Sequence, residues 1–164
     1  MKQIRTISIG LIAFVLVAMT TSCEKQYITK EYYSEYGSKV YTREYTIKGD
    51  EWKVGTYDNG RKYLYAECGN KEITENVMKT GAVLAYLWFT YNIEDNASSW
   101  NMLPYVYPYQ AQNSEGELVT VGENVRFEYE TGKVIFIVED LDGLEPEPMT
   151  DELLIKVVVL ENRL

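Results

Sequence analysis

The sequence has 164 residues, of which 16 are basic and 25 acidic, and it contains no histidine. Without histidine, the usual Ser-His-Asp and Cys-His forms of catalysis are excluded, together with most zinc chemistry. The net charge of −9 argues against nucleic acid as a partner, because binding to phosphates needs a positively charged face.

The first 23 residues have the organisation of an export signal. Lys2 and Arg5 precede an apolar run over 7–19, which is shorter than the roughly 20 apolar residues that a membrane span needs. The run ends in Thr20-Thr21-Ser22-Cys23, and this ending resembles the looser lipobox of Bacteroidetes-type lipoproteins. The resemblance implies cleavage before Cys23 and a diacylglyceryl group on its thiol. We therefore predict a signal peptide over 1–22 and membrane attachment through acyl chains on Cys23.

Processing at this position would change both the charge and the cysteine count. Residues 1–22 hold two of the basic residues and none of the acidic ones, so the chain from Cys23 onward has a net charge of −11. With Cys23 acylated, Cys68 has no partner, and we expect no intramolecular disulfide in the mature chain. Cys68 alternates with Leu64 and Ala66, which predicts a buried small apolar side chain.

The remaining chain divides into a charged tether over 23–37, which could include an edge strand near its end, and one β-sandwich domain over 38–164. Alternating apolar residues predict strands at 40–47, 62–68, 125–129, 133–138 and 153–159. The segment 82–91 is apolar on both faces, which predicts a strand inside a sheet, and we expect Trp52 and Trp88 to lie in the core.

One short helical turn is predicted near 74–80, because Thr74 can cap its start and Gly81 can take a left-handed conformation at its end. The pattern as a whole predicts an all-β fold, a two-sheet sandwich of about seven or eight mostly antiparallel strands.

A series of short motifs in a fixed order resembles a family of small, uncharacterised Bacteroidetes-type envelope lipoproteins with a β-sandwich domain. The motifs are Tyr45-Thr46-Ile47-Lys48 with Asp50-Glu51-Trp52-Lys53, Glu72-Ile73-Thr74-Glu75 ahead of Gly81, Leu103-Pro104-Tyr105, Phe127-Glu128-Tyr129 with Gly132-Lys133-Val134, and Ile155-Lys156-Val157-Val158-Val159. The resemblance implies an envelope location and a sandwich, and it implies no activity. The chain lacks the Gly-Pro stretch that many members carry after the cysteine.

The many carboxylates suggest two kinds of chemistry, glycoside hydrolysis and calcium binding. A glycosidase needs two carboxylates facing each other across a cleft, whereas the acidic residues of this chain fall in turns, in the tether or on the outward side of strands. We therefore expect no catalytic residues, no enzyme and no cofactor. Glu139, Asp140 and Asp142 beside Gly143 outline a calcium loop, but the distal liganding positions are missing, and a solvated acidic crossover is the favoured interpretation.

Aromatic residues around 100–109 are the remaining candidates for a binding site. Trp100, Tyr105, Tyr107 and Tyr109 lie in or beside a loop region, and sugar rings stack on exposed aromatic faces. The alternative is that these rings cover the end of the core and keep only their polar tips in water. We expect a lipid-anchored, non-enzymatic module with a structural or protein-interaction role, located at the outer membrane and facing outward. A surface glycan-binding lipoprotein is the alternative.

Overall fold

A computed structural model of the chain describes residues 30–33, 37–92, 97–112, 115–141 and 152–162, and the predicted signal peptide and Cys23 lie outside these ranges. The described residues form ten strands, one α-helix and one 3-10 turn, Gly49–Glu51. In chain order the strands and helix are β1 Lys30–Tyr33, β2 Lys39–Ile47, β3 Lys53–Thr56, β4 Lys62–Gly69, α1 Glu75–Thr80, β5 Ala82–Asn92, β6 Ala97–Met102, β7 Tyr105–Gln112, β8 Leu118–Glu130, β9 Lys133–Asp140 and β10 Leu153–Glu161.

The strands form two antiparallel sheets. Sheet A has the order β1-β2-β10-β5-β6, and sheet B has the order β3-β4-β9-β8-β7. Hairpins join neighbours within a sheet, such as β8 and β9 through the turn at Gly132, whose φ of 86° lies in the left-handed region that favours glycine. The last strand, β10, lies between β2 and β5, so the C-terminal segment occupies an interior position of sheet A.

The inner faces of the two sheets meet in one hydrophobic core. Sheet A contributes alternate residues such as Ile47, Leu87 and Val157, and sheet B contributes residues such as Phe136, all of them almost fully buried. The rings of Tyr45 and Phe136 meet edge to face across the sheets, with centroids 5.6 Å apart. The predicted all-β two-sheet sandwich is therefore confirmed.

The number of strands is larger than predicted, because short edge strands carry little alternation. β3 is one such strand, and β1 is another. β1 pairs with β2, so sheet A begins at Lys30, inside the tether, where the sequence left an edge strand open. Among the described residues no helix has the length and hydrophobicity needed to cross a membrane.

The short helix α1 begins as predicted and ends differently. The Thr74 hydroxyl accepts a hydrogen bond from the backbone N–H of Val77, 3.2 Å away, which caps the first turn. Gly81 ends the helix in an extended conformation with φ of −99°, so the expected left-handed stop is wrong. The reason for glycine is space: a Cβ at this position would collide with the backbone carbonyl of Leu160 and would lie 2.9 Å from the Cα of Val77.

Candidate functional site

The outer face of sheet A carries a cluster of aromatic side chains at the β5–β6 edge. Val83, Ala85 and Leu87 point into the core, so the alternate residues of β5 point outward. Register then places Tyr86 opposite Met102 and Trp88 opposite Trp100 on β6, while Lys156 of β10 lies beside Tyr86. We call this set, Tyr86, Trp88, Trp100, Met102 and Lys156, the aromatic face.

The rings of the aromatic face contact one another and a lysine. Trp88 and Trp100 meet with centroids 5.1 Å apart and planes at 62°. The ammonium of Lys156 lies 4.0 Å from the centroid of the Trp100 ring and 5.3 Å from that of Tyr86, so it makes cation–π contacts with both. Trp88 is 39% exposed and Met102 is 56% exposed. Next to them the hydroxyls of Thr90 and Ser98 lie 3.0 Å apart.

The rest of this outer face is mostly apolar. Outward positions of β10 and β5 include Leu154, Val158 and Leu84, and Glu44 on β2 stands opposite Lys156. In the described parts of β2, β10, β5 and β6, Glu44 and Lys156 are the charged side chains that point outward from the middle of the strands. In the middle of these four strands, the outer face therefore combines apolar surface with one charge of each sign.

The outer face of sheet B carries more ion pairs, beside the packed rings of Tyr57, Tyr63 and Tyr65. Arg126 donates hydrogen bonds to Glu139, at 2.9 Å, and to the Tyr57 hydroxyl, at 2.7 Å, and that hydroxyl donates to the other oxygen of Glu139, also at 2.7 Å. Burial raises the pKa of Glu139, but the hydrogen bonds from Tyr57 and Arg126 outweigh it, so the net pKa is lowered. Lys133 lies 2.9 Å from Glu67 on the same face. Paired charges of this kind suit a solvated surface.

The structure separates the four aromatic residues that the sequence grouped as one candidate site. Trp100 lies on the outer face of sheet A, whereas Tyr105, Tyr107 and Tyr109 follow one another along the inner face of β7, the edge strand of sheet B. Tyr105 and Tyr107 pack against the core and contact the Phe89 ring, with centroids 5.6 and 5.5 Å away. The four residues therefore do not form one continuous strip.

Of the aromatic face, the sequence interpretation named Trp100 as a candidate and missed the other four residues. We expected both Trp52 and Trp88 in the core. Trp52 packs against the core, whereas Trp88 is exposed, so the expectation for Trp88 is wrong. The apolar run over 82–91 suggested a strand buried on both faces. An apolar side chain can also point to solvent, and the outward residues of this strand do so. Pairing Trp88 with Trp100 needs the β5–β6 register, which the sequence pattern does not provide.

Two carboxylates lie on the inner side of sheet B, contrary to the expectation that all acidic residues point outward or lie in turns. Glu123 of β8 and Asp140 of β9 are directly opposite in register, and Asp140 is 6% exposed. The Tyr107 hydroxyl donates a hydrogen bond to Glu123, and the Tyr109 hydroxyl donates one to Asp140 at 3.1 Å. Burial raises the pKa of Glu123, and the charge of Asp140 raises it further, against the lowering effect of the Tyr107 hydrogen bond.

The calcium candidates are divided between the two faces of β9. The Glu139 side chain points outward to Arg126, the Asp140 side chain points inward to Tyr109, and Asp142 lies outside the described residues. Glu139 and Asp140 therefore do not converge on one ion. Nowhere in the described ranges do three or more Cys, Asp or Glu side chains form a group suited to a metal ion.

Cys68 is 1% exposed on the inner face of β4, as expected for a small apolar side chain. The structure of the unprocessed chain also places it in a disulfide, whereas the expectation of no intramolecular disulfide concerned the mature chain with Cys23 acylated. The sequence has one other cysteine, Cys23, outside the described residues. A sulfur atom cannot carry both a disulfide and a thioether, so an acylated Cys23 could not be the partner of Cys68.

Comparisons with known proteins add nothing to this geometry: no family model, no curated protein and no solved structure matches the chain.

Proposed function

We propose that this chain is a lipid-anchored, non-enzymatic β-sandwich module of the bacterial cell envelope, with a structural or protein-interaction role. The observation that carries the proposal is the N-terminal stretch, in which basic residues, an apolar run and Thr20-Thr21-Ser22-Cys23 follow one another. The acylated chain is an outer-membrane lipoprotein and faces outward.

The structure supports a role in binding through the contrast between the two outer faces. Sheet B pairs its charges, such as Arg126 with Glu139, next to tyrosine rings, whereas sheet A groups the exposed Trp88 and Met102 with Trp100. Exposed apolar patches on a folded domain are typical of interaction surfaces. The two carboxylates that face each other, Glu123 and Asp140, are engaged by Tyr107 and Tyr109, and Asp140 is buried, which favours a structural role for the pair.

Metabolic labelling with a fatty acid tests the anchor. In a host that processes lipoproteins, the chain is expected to incorporate the label and to fractionate with membranes. Cys23→Ser should abolish both, while Cys68→Ser, the matched control, should retain both. Labelling that persists in the Cys23→Ser variant would contradict the proposal.

A second candidate function is glycan binding, and the exposed ring of Trp88 beside the hydroxyls of Thr90 and Ser98 is the observation that favours it. Sugar rings stack on aromatic side chains, and these two hydroxyls offer hydrogen bonds. A glycan array probed with the chain 23–164 carrying Cys23→Ser tests this function. Hits that are lost in Trp88→Ala would support it, and an array without hits would exclude the sugars present on it.

A further inference from the structure

We propose that the aromatic face is the surface on which the domain rests against the membrane that holds its lipid anchor. The inference depends on the proposed function, because it adds an orientation to a domain that is already tethered by Cys23. The occupant of the face is then a neutral lipid bilayer surface, contacted by Trp88, Trp100 and Met102.

The residue types of the aromatic face suit a membrane–water interface. Trp and Tyr concentrate at this interface because each combines an apolar ring with a polar group, and Lys buries its aliphatic stem while its ammonium stays at the headgroups. Trp88 and Met102 already expose 39% and 56% of their surfaces. Lys156 lies over Tyr86 and Trp100, in the middle of the set.

The charge distribution favours the same face. From Cys23 onward the chain has a net charge of −11, so most of its surface is repelled by anionic lipid. The middle of the outer face of sheet A instead carries Glu44 and Lys156, which stand opposite each other and sum to zero. This face can therefore approach a bilayer without a large electrostatic cost.

The position of the tether brings this sheet close to the anchor. The chain enters sheet A at Lys30, which is seven residues after Cys23, so an extended tether reaches about 25 Å. β1 and β6 are the two edges of the same five-stranded sheet, about 19 Å apart at ordinary strand spacing. The membrane anchor is thus within reach of the strand that carries Trp100.

The strand directions place the chain that precedes Lys30 and the Trp88 side chain toward the same end of sheet A. β1 runs antiparallel to β2, with Lys30 opposite Thr42 and Tyr33 opposite Lys39. The chain that precedes Lys30 therefore arrives from the end of sheet A where β2 finishes at Ile47. Leu153 pairs with Ile47, and Ile155 pairs with Leu87, so Trp88 lies toward that same end.

The ring geometry favours a bilayer over a sugar as the occupant. A sugar-stacking platform needs an open ring face, but the Lys156 ammonium lies on Trp100, and the Trp88 plane stands at 62° to its neighbour. Insertion among lipid headgroups needs no coplanar rings. Glycan binding at this face is therefore an alternative outcome of the test.

Quenching of single tryptophans tests the proposal, because the three tryptophans differ in position. The acylated protein is reconstituted on phosphatidylcholine vesicles whose acyl chains are brominated near the headgroup. One variant, Trp52→Phe with Trp100→Phe, keeps Trp88, and a second, Trp88→Phe with Trp100→Phe, keeps the core-packed Trp52. We expect quenching of Trp88 to be at least about twofold stronger than quenching of Trp52. Equal quenching of the two, or quenching of neither, would overturn the proposal.

A second measurement does not need the acyl chains, so it separates this inference from the proposed anchor. The chain 23–164 with Cys23→Ser is titrated with the same vesicles without bromine. Trp88→Glu should reduce partitioning by about tenfold, whereas Leu118→Glu, which alters an exposed leucine of β8, should leave it unchanged. No partitioning at any lipid concentration, an equal loss in both variants, or glycan binding that needs Trp88 without any lipid binding would each overturn it. Failure of the proposed function would appear separately, as loss of fatty-acid labelling at Cys23.

Discussion

The Tyr107 hydroxyl donates a hydrogen bond to the Glu123 carboxylate on the inner side of sheet B, where the next strand places Asp140 directly opposite Glu123. Tyr107 and Glu123 belong to the neighbouring strands β7 and β8, and burial raises the pKa of each of these two groups. At the β7 edge of the sandwich, the hydrogen bond from Tyr107 to Glu123 therefore lies beside the other tyrosine rings of β7.

Glu123 is expected to make stability depend on pH. The pKa of Glu123 is raised in the folded protein above its ordinary value of 4.5, so the folded state binds the proton more tightly than the unfolded state. The stability that this group contributes is complete below that ordinary value and is lost as the pH rises through the folded pKa. Glu123→Gln keeps an acceptor for Tyr107 and should raise stability at pH 7 by up to about 1 kcal/mol, a figure limited by the partial exposure of the carboxylate.

Urea unfolding at a series of pH values measures this effect. The gain from Glu123→Gln should vanish below pH 4.5, where the wild-type carboxyl is protonated in both states. Glu152→Gln, at an exposed position before β10, is the matched control and should change little at any pH. If the change in unfolding free energy caused by Glu123→Gln is less favourable at pH 7 than at pH 4, the assignment would be contradicted.

Glu139 should give the opposite dependence on pH. Its pKa is lowered in the fold, so the stability that it contributes is present above its ordinary value of 4.5 and is lost as the pH falls through the lowered pKa. Arg126→Met removes the ion pair and one hydrogen bond to Tyr57, and should cost up to about 1 kcal/mol at pH 7. The cost should shrink in acid. Lys71→Met, whose side chain is 82% exposed, is the control for loss of a positive charge.

Gly81 should tolerate no side chain. Gly81→Ala places a Cβ against the carbonyl of Leu160 and the Cα of Val77, both of which are backbone atoms that cannot rotate away. We expect a loss of about 1–3 kcal/mol in the free energy of unfolding. Gly69→Ala is the matched control, because no heavy atom lies within 4 Å of the corresponding Cβ and its φ is not positive. Equal stability of the two variants would show that α1 and β10 separate easily.

The two cysteines should report on processing. In protein acylated at Cys23, Cys68 is expected to be a thiol that reacts slowly with iodoacetamide, because it is 1% exposed, and reacts quickly once the chain is unfolded. In the unprocessed chain, peptide mapping without reductant should show Cys68 in a disulfide. Rapid modification of Cys68 in the folded, acylated protein would contradict its inward position.

The sequence pattern predicted the central strands because their inner faces alternate strictly. β4, β9 and β10 follow Leu64, Phe136 and Ile155 in steps of two, and the structure confirms them. The short β3 has little alternation, and the first part of β8, residues 118–124, was not recognised as strand. Prediction of the candidate site was weaker for a physical reason: the sequence shows which residues share a strand face, but contact between Trp88 and Trp100 depends on strand pairing.

The interior position of β10 determines when the domain becomes able to fold. β2 and β5 are separated in sheet A by the strand nearest the C-terminus, so neither gains its main partner until residues 153–161 are available. A ribosome-bound or partly translocated chain still lacks the centre of this sheet. Folding of sheet A therefore waits until residues 153–161 have been synthesised and are free to pair with both neighbours.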